Sequence, residues 1–351
     1  MAAALCRRKL KAAIFYGEKD IRLECVNDPI PADDEALVRV KAAGICGSDL
    51  HYYSEGRSGV FQPIKPFILG HEFSGFIEHF EGQAFRKGEN VVIEPAVPCF
   101  RCSYCRQGRY NLCQKLRFIG TAASIPHIDG GFAEYCRVPL EALHVIPEGL
   151  AFRQAALAEP LSVALHAARR SCIGPGEKAM ILGAGPIGLL TALVVILRGS
   201  VEPIVVDSVE SRLQAASAIG AYPVNFEKND VLEIVKSLTD SQGVDVVFEA
   251  SGSPQALPAA IKAVRRGGRI ILVGNLPNES ISAPLADVVA KEIDIRGTLR
   301  YTNTFNAAIT LLWRRLIPVD KIVTHTFDLK DIREAFDTAL SGNALKVIIA
   351  P

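Results

Sequence analysis

The residues best suited to chemistry lie in two short stretches of this 351-residue chain. The first stretch, residues 44–52, contains Cys46, and the second contains His71 followed by Glu72. A thiolate, an imidazole and a carboxylate are donors that zinc accepts, and a catalytic zinc keeps one position open for water or substrate. The pattern therefore predicts a reactive metal site formed by Cys46, His71 and Glu72.

Two further side chains in the first stretch can move a proton. Ser48 lies two residues after Cys46, so its hydroxyl can contact a substrate oxygen and take its proton. His51 lies three residues further on and can pass that proton to solvent, because imidazole titrates near neutral pH. The simpler interpretation is that Cys46 and His71 are ordinary core residues, since free cysteine is among the most buried residue types. The motifs that follow favour the metal site.

Four cysteines form a denser cluster further along the chain. Three of them follow one another at intervals of three residues, and the fourth comes eight residues after the third. Four thiolates leave no open position, so this spacing predicts a closed structural zinc site that holds a surface loop, with an iron–sulfur cluster as the alternative. The other cysteines are scattered, which favours a reducing compartment over a disulfide framework. The four are Cys99, Cys102, Cys105 and Cys113.

A glycine-rich turn indicates a nucleotide site. Gly183, Gly185 and Gly188 fit the pattern G-x-G-x-x-G, which here follows a predicted strand at 178–182 and opens a predicted helix at 187–198. The first glycine allows the tight turn, the second lets the backbone approach a pyrophosphate, and the third lets helix and strand pack closely. The amino end of the helix offers N–H groups to an anion. The alternative is a plain turn that binds no ligand.

Asp207 ends the next predicted strand and bears on the choice of cofactor. A carboxylate there can accept hydrogen bonds from both ribose hydroxyls and would repel a 2′-phosphate, which predicts NAD over NADP. Arg212 lies five residues further on. It can stack on an adenine or meet a phosphate, so it leaves the strictness of this preference open.

Composition excludes several functional classes. Hydrophobic residues make up 49% and charged residues 22% of the chain, which is typical of a soluble globular protein. The net charge is only +1, so the chain lacks the strongly positive electrostatic field that would attract nucleic acid or a membrane surface. The longest apolar run, 187–197, is too short to span a bilayer. Residues 1–11 lack the order of a signal peptide, and we interpret them as a short extension before the first strand of a cytoplasmic protein.

The pattern of apolar residues, and with it the predicted secondary structure, changes along the chain. Residues 10–95 and 131–147 read as short strands, which predicts a β-rich, barrel-like unit. Residues 177–295 alternate strands with helices, which predicts a parallel sheet. A final strand at 346–350 is expected to pack back onto the first domain. The predicted fold class is therefore α/β with two domains.

Taken together, these motifs resemble those of the zinc-dependent medium-chain dehydrogenases. The resemblance covers nearly the whole chain. Residues 158–163 and 299–301 are similar to the sorbitol (polyol) dehydrogenase branch, whereas 116–132 and the stretch from 291 onward also resemble L-idonate 5-dehydrogenases. The resemblance implies a GroES-like catalytic domain made of 1–160 and 297–351, with a Rossmann NAD-binding domain of 161–296 between them. It also implies homo-oligomers, either dimers or tetramers.

The same resemblance implies roles for individual residues. The catalytic zinc would be bound by Cys46 and His71 with Glu72 or Glu159, and it leaves open which glutamate coordinates. With the complete four-cysteine loop, two zinc ions per subunit are expected. The polyol pocket would be lined by Tyr52, Phe118, Glu159, Arg300 and Tyr301. The NAD site would be lined by Gly183, Gly185, Pro186, Ile187, Gly188, Asp207, Arg212, Val273, Gly274, Asn275, Leu299, Arg300 and Tyr301.

The implied reaction is hydride transfer from a secondary hydroxyl to NAD. The substrate would be a polyol or a sugar acid of the sorbitol, xylitol or L-idonate type, because a site built to hydrogen-bond hydroxyls rejects analogues that lack them. A polyol phosphate of the galactitol-phosphate type is an alternative. The alternative from another class is a non-catalytic NAD-binding protein of the crystallin or regulator kind, in which the set of metal ligands would be incomplete.

Overall fold

The computed structural model describes residues 9–351. The extension predicted at 1–11, including Cys6, lies outside the described residues except for 9–11, which already belong to the first strand. Within the described part of the chain, no helix combines the length and the apolar character needed to cross a membrane.

Two compact units make up the described chain. The first contains the residues up to Glu159 together with Val323–Pro351, and the second contains Pro160–Ile322. Residues 297–322, which the sequence assigns to the first domain, group with the second unit. Hydrogen bonds explain this difference, because Thr304 Oγ1 donates to the carbonyl oxygen of Ser162 and Arg169 donates to that of Asn303.

Strands dominate the first unit, in agreement with its alternating sequence. Its helices before Glu159 are α1 (Gly47–Glu55), α2 (Ser103–Arg106) and α3 (Phe152–Ala155). Its strands before Glu159 are β1 (Lys9–Gly17), β2 (Asp20–Asn27), β3 (Glu35–Gly44), β4 (Phe67–Ile68), β5 (Glu72–Phe80), β6 (Asn90–Ile93), β7 (Ala96–Val97), β8 (Arg117–Phe118), β9 (Tyr135–Pro139) and β10 (Leu143–Val145).

The second unit alternates strands and helices. Its strands are β11 (Ala179–Leu182), β12 (Ile204–Asp207), β13 (Tyr222–Asn225), β14 (Val244–Glu249), β15 (Val264–Leu272) and β16 (Asp294–Gly297). The helices that follow α3 in the chain are α4 (Ala158–Ser171), α5 (Pro186–Leu197), α6 (Glu210–Ala218), α7 (Val231–Leu238), α8 (Ala256–Ala263), α9 (Leu285–Lys291) and α10 (Phe305–Trp313). The chain then returns to the first unit with β17 (Val323–Asp328), α11 (Ile332–Leu340) and β18 (Lys346–Ala350).

Strand pairing confirms the predicted two-domain α/β fold class, with one β-rich unit and one unit built on a parallel sheet. In the first unit the main sheet has the order β10-β6-β5-β3-β18-β17, with β9 also paired to β3, so the tail does pack onto the β-rich unit. In the second unit the order is β13-β12-β11-β14-β15-β16, and every pair is parallel. From β11 the strands are added outward to β13 on one side, and the chain then crosses to β14 on the other side, so the strand order reverses at β11. Doubly wound sheets bind nucleotides at such a switch point.

Candidate functional site

A cluster of three side chains that could hold a metal ion lies where β3 and β5 meet. Ligand atoms of Cys46, His71 and Glu72 all lie within 4.8 Å of one another. Gly44 at the end of β3 pairs with Glu72 at the start of β5, so the strand ends bring the two stretches together. A Cβ at Gly44 would overlap a carboxylate oxygen of Glu72, which is why this position is a glycine.

Asp49, which the sequence interpretation did not single out, organises the cluster. It is fully buried, and its Oδ2 accepts a hydrogen bond of 2.9 Å from the backbone N–H of Cys46. Its Oδ1 lies 3.7 Å from His71 Nδ1, and neither of these two buried atoms has a hydrogen-bond partner. A carboxylate at this position can orient the imidazole once the ring N–H donates a hydrogen bond to it.

The charges around His71 favour a cation. Burial by itself would lower the pKa of His71, but the negative charges of Asp49 and Cys46 raise this pKa well above its ordinary value. The same charges attract a divalent cation, which replaces the proton when the imidazole becomes a ligand. The sulfur, nitrogen and oxygen ligand atoms of this cluster, and the negative charges around them, therefore fit a zinc ion.

Glu72 is held by a buried lysine that the sequence interpretation missed. Lys346 donates to both carboxylate oxygens of Glu72, at 2.8 and 2.7 Å, and to the carbonyl oxygen of Ile45 at 3.0 Å. Burial would lower the pKa of Lys346, but the carboxylate of Glu72 raises it above its usual value. The lysine begins a strand that is otherwise apolar, and this is the one signal in the sequence that could have revealed it.

Glu159 lies near the cluster but is not one of its three mutually close groups. Its side chain is buried at the start of α4. Burial raises the pKa of Glu159 to about 7; the positive charge of His71 works in the opposite direction, and Glu72 adds to the rise. These interactions place Glu159 within electrostatic range of the same site.

Three of the remaining predicted residues of the first unit lie on α1, and the fourth packs against His71. Ser48 is half-buried in the first turn, and His51 pairs with Glu55 at 2.9 Å with 43% of its side chain exposed. Phe118 is buried, and its ring packs edge-on against the imidazole of His71. Tyr52 is also buried, and its hydroxyl accepts a hydrogen bond from the backbone N–H of Ala122.

The four-cysteine loop brings its thiols together. The sulfurs of Cys99, Cys102, Cys105 and Cys113 all lie within 4.8 Å of one another, close to the separation of about 3.8 Å that a tetrahedral zinc–sulfur site requires. Backbone N–H groups lower the pKa of Cys99 to about 6, whereas loss of hydration and the neighbouring thiols raise the pKa of Cys105 to about 12. A bound cation would keep all four as thiolates.

The glycine-rich turn has the geometry that a pyrophosphate needs. A Cβ at Gly188 would overlap the carbonyl oxygen of Gly183, so this glycine brings α5 close to β11. A Cβ at Gly185 would meet nothing within 4 Å, which leaves open space beside the first N–H groups of α5. Pro186 begins the helix and Ile187 follows it. The turn therefore fits the diphosphate of a dinucleotide.

Asp207, at the end of β12, supports the glycine-rich turn. Its Oδ2 accepts a hydrogen bond of 2.7 Å from Ala184, and its Oδ1 accepts from the backbone of Ser208 and Val209. Arg212 Nη1 lies 4.0 Å from Asp207 Oδ2. Because each carboxylate oxygen can accept two hydrogen bonds, Oδ1 is fully used and Oδ2 keeps one acceptor position for a further donor.

A buried glutamate holds the two loops that follow β14 and β15. Glu249 Oε1 accepts hydrogen bonds from Ser251 and Gly252, and its backbone carbonyl accepts from the N–H groups of Val273 and Gly274. Two predicted cofactor residues, Val273 and Gly274, are thus held by the backbone carbonyl of a residue that the sequence interpretation did not identify, and its side chain holds the loop after β14. Three further predicted residues of this unit, Leu299, Arg300 and Tyr301, follow β16, where Tyr301 is buried and stacks on Phe305.

Comparison with known proteins gives consistent results over the whole chain. Residues 32–148 match the family model "Alcohol dehydrogenase GroES-like domain", and residues 186–314 match "Zinc-binding dehydrogenase". The chain is 38% identical to the sorbitol dehydrogenase of Bacillus subtilis, covering 98% of each chain, and 36% identical to the L-idonate 5-dehydrogenase of Vitis vinifera, covering 96% of this chain and 93% of the other. The solved structure of L-idonate 5-dehydrogenase from Escherichia coli has a TM-score of 0.90 at 32% identity, covering 98% of each chain.

Proposed function

Because the chain belongs to the zinc-dependent medium-chain dehydrogenases, we propose that it oxidises a secondary hydroxyl of a polyol or sugar acid with NAD as hydride acceptor. The observation that carries this proposal is the cluster of the half-buried Cys46 with the buried His71 and Glu72, in a chain that also has the glycine-rich turn. The relatives named sorbitol dehydrogenase and L-idonate 5-dehydrogenase support the substrate class.

The residues present would hold two zinc ions per subunit. Cys46 and His71, with Glu72 or Glu159, would hold the catalytic ion, and the four-cysteine loop would hold the structural one. A zinc ion at the catalytic site acts as a Lewis acid that lowers the pKa of a substrate hydroxyl. Phe118 and Asp49 support this site by packing against His71 and by fixing its orientation.

Side chains on α1 would carry the substrate proton away. Ser48 would accept it and His51 would release it to water, because His51 is substantially exposed and an imidazole exchanges protons near neutral pH. For the substrate pocket we propose Tyr52, Phe118 and Glu159 together with Arg300 and Tyr301, as the resemblance implies. Asp207 would favour NAD over NADP by repelling a 2′-phosphate.

We also propose a cytoplasmic homo-oligomer, either a dimer or a tetramer. The free thiols of the described cysteines fit a reducing compartment. An exposed edge supports assembly, since β16 ends the parallel sheet and carries the exposed Ile295, and Leu285 and Val289 of the preceding helix are 64% and 79% exposed. Light scattering of the purified protein would measure the oligomeric state.

A substrate panel tests the proposed reaction. The zinc-loaded enzyme is assayed for NADH formation with sorbitol, xylitol, galactitol, L-idonate and galactitol 1-phosphate, and each assay is repeated with NADP. We expect turnover of an unphosphorylated polyol or sugar acid with NAD, and loss of turnover with retained NADH binding in Cys46→Ser. Turnover of the phosphate alone would favour the polyol-phosphate alternative, and no turnover with intact NADH binding would favour a non-catalytic protein.

A further inference from the structure

The loop that joins β16 to α10, residues 298–304, is tied to neighbouring elements at both ends. Thr298 donates to the carbonyl oxygen of Leu272 twice, from its backbone N–H at 2.9 Å and from its hydroxyl at 3.0 Å. Thr304 is buried, and its hydroxyl donates to the carbonyl oxygen of Ser162 in α4 at 3.1 Å. The two ends of the loop are therefore fixed to β15 and to α4.

The middle of this loop has a strained backbone. Arg300 and Asn303 have φ angles of 51° and 54°, which lie in the left-handed region. This conformation costs free energy for any residue with a side chain, although asparagine tolerates it better than most. Such residues keep it only when the surrounding structure holds them. Tyr301 is held by burial and by stacking on Phe305, so the strain on either side of it needs a further support.

That support comes from one guanidinium group. Arg169 Nη1 donates to the carbonyl oxygens of Thr302 and Asn303, at 3.3 and 3.0 Å. Arg169 lies seven residues after Ser162 in α4. Seven residues make nearly two full helical turns, so both residues lie on the face of α4 that contacts the loop. A hydrogen bond from a charged donor is stronger than one between neutral groups, and Arg169 is therefore the firmer of the two attachments to α4.

We propose that Arg169 is a positioning residue for Arg300. By holding the carbonyl groups of Thr302 and Asn303, it keeps the loop in the form that gives Arg300 its left-handed backbone, and the backbone angles limit the rotamers open to that side chain. This inference rests on the proposed function, because it takes Arg300 as part of the polyol or sugar-acid pocket. Arg169 then contributes to substrate affinity through Arg300.

A double-mutant cycle tests this role. The variants are Arg169→Met, Arg300→Ala, the double variant and Arg169→Lys. For each, kcat/KM is measured with the substrate of the panel that the unmodified zinc-loaded enzyme turns over fastest. A matched control is Arg266→Met, because Arg266 is also exposed and also donates to a backbone carbonyl, that of Ala290. Hydrogen–deuterium exchange of a peptide that covers 298–304 is measured on the same proteins.

We expect Arg169→Met to lower kcat/KM roughly 10-fold, mostly through a higher KM, because the pocket loses an interaction that substrate and transition state share. Exchange in the loop should become faster. In the Arg300→Ala background the same substitution should lower kcat/KM by less than about twofold, since the side chain that Arg169 positions is absent. Arg169→Lys keeps a positive donor and should recover most of the loss, whereas Arg266→Met should match the unmodified protein.

Two results would overturn the proposal. One is unchanged exchange of the loop in Arg169→Met, and the other is a double variant in which the two losses multiply, because the two arginines would then act independently. Arg169 is exposed, so its replacement should leave the fold intact. If Arg169→Met does not fold, Arg169→Gln takes its place under the same two criteria. An unmodified enzyme that turns over no substrate of the panel would refute the proposed function instead, while exchange would still decide whether Arg169 holds the loop.

Discussion

Two glycines of the dinucleotide turn should respond in opposite ways to the same substitution. Gly188→Ala places a methyl group over the carbonyl oxygen of Gly183 and 3.3 Å from Ile181 Cγ2. Helix α5 must then move away from β11. Such overpacking costs about 3 kcal/mol at the upper end of its usual range, which lowers the melting temperature of a domain of this size by roughly 6–12 °C.

Gly185→Ala should leave the fold intact and weaken the binding of the cofactor. Its backbone angles, φ −68° and ψ 178°, suit alanine, and the added Cβ meets nothing within 4 Å. The weaker helix cap and the less flexible unfolded chain nearly cancel, so stability should change by less than about 0.5 kcal/mol. The Cβ fills the space next to the first N–H groups of α5, and loss of one hydrogen bond to a charged phosphate weakens NADH binding by roughly 10- to 100-fold.

Calorimetric titration with NADH and thermal unfolding of both variants measure the two effects separately. The interpretation of the turn would be refuted by Gly185→Ala binding NADH as tightly as the unmodified protein. It would also be refuted by Gly188→Ala melting within about 2 °C of it, because the close packing of α5 on β11 would then not exist.

Three further predictions concern the metal loop and the cofactor. Cys113→Ala should lose the structural zinc, so elemental analysis should show one zinc fewer per chain and melting should occur at a lower temperature. The zinc affinity of the loop should fall as the pH falls, because Cys105 (pKa about 12) must release a proton to bind zinc at neutral pH. The fall should become steeper below pH about 6, where Cys99 (pKa about 6) must release a proton as well. Chelator competition across pH measures this dependence. Asp207→Ser should lower the NAD-to-NADP ratio of kcat/KM by at least about tenfold, since Arg212 would then face a 2′-phosphate without a competing carboxylate.

Much of the fold follows from local pattern. The final strand, 346–350, is predicted with the bounds that the structure shows. The structure also confirms the predicted strand before the glycine turn and the helix after it, each within one residue. The short strands β13 and β16 are missed, because one contains a proline and the other is an exposed edge strand with little apolar patterning.

The candidate site is less predictable, because its supporting charges come from distant parts of the chain. Spacing indicates Cys46 and His71, and the structure brings these two together with Glu72. No local pattern connects Lys346 with Glu72, which is 274 residues away along the chain. A buried charge is recognised only when its partner is known, and the partner is supplied by the strand pairing.

The position of β18 sets the order in which a nascent chain can acquire its parts. Cys46, His71 and Glu159 are all synthesised before the second unit, yet Lys346 follows it. The second unit can therefore finish folding on the ribosome while the first still lacks two strands of its main sheet. At that stage Glu72 stands without the lysine that pairs with it, so this buried ion pair forms only when β18 joins the sheet.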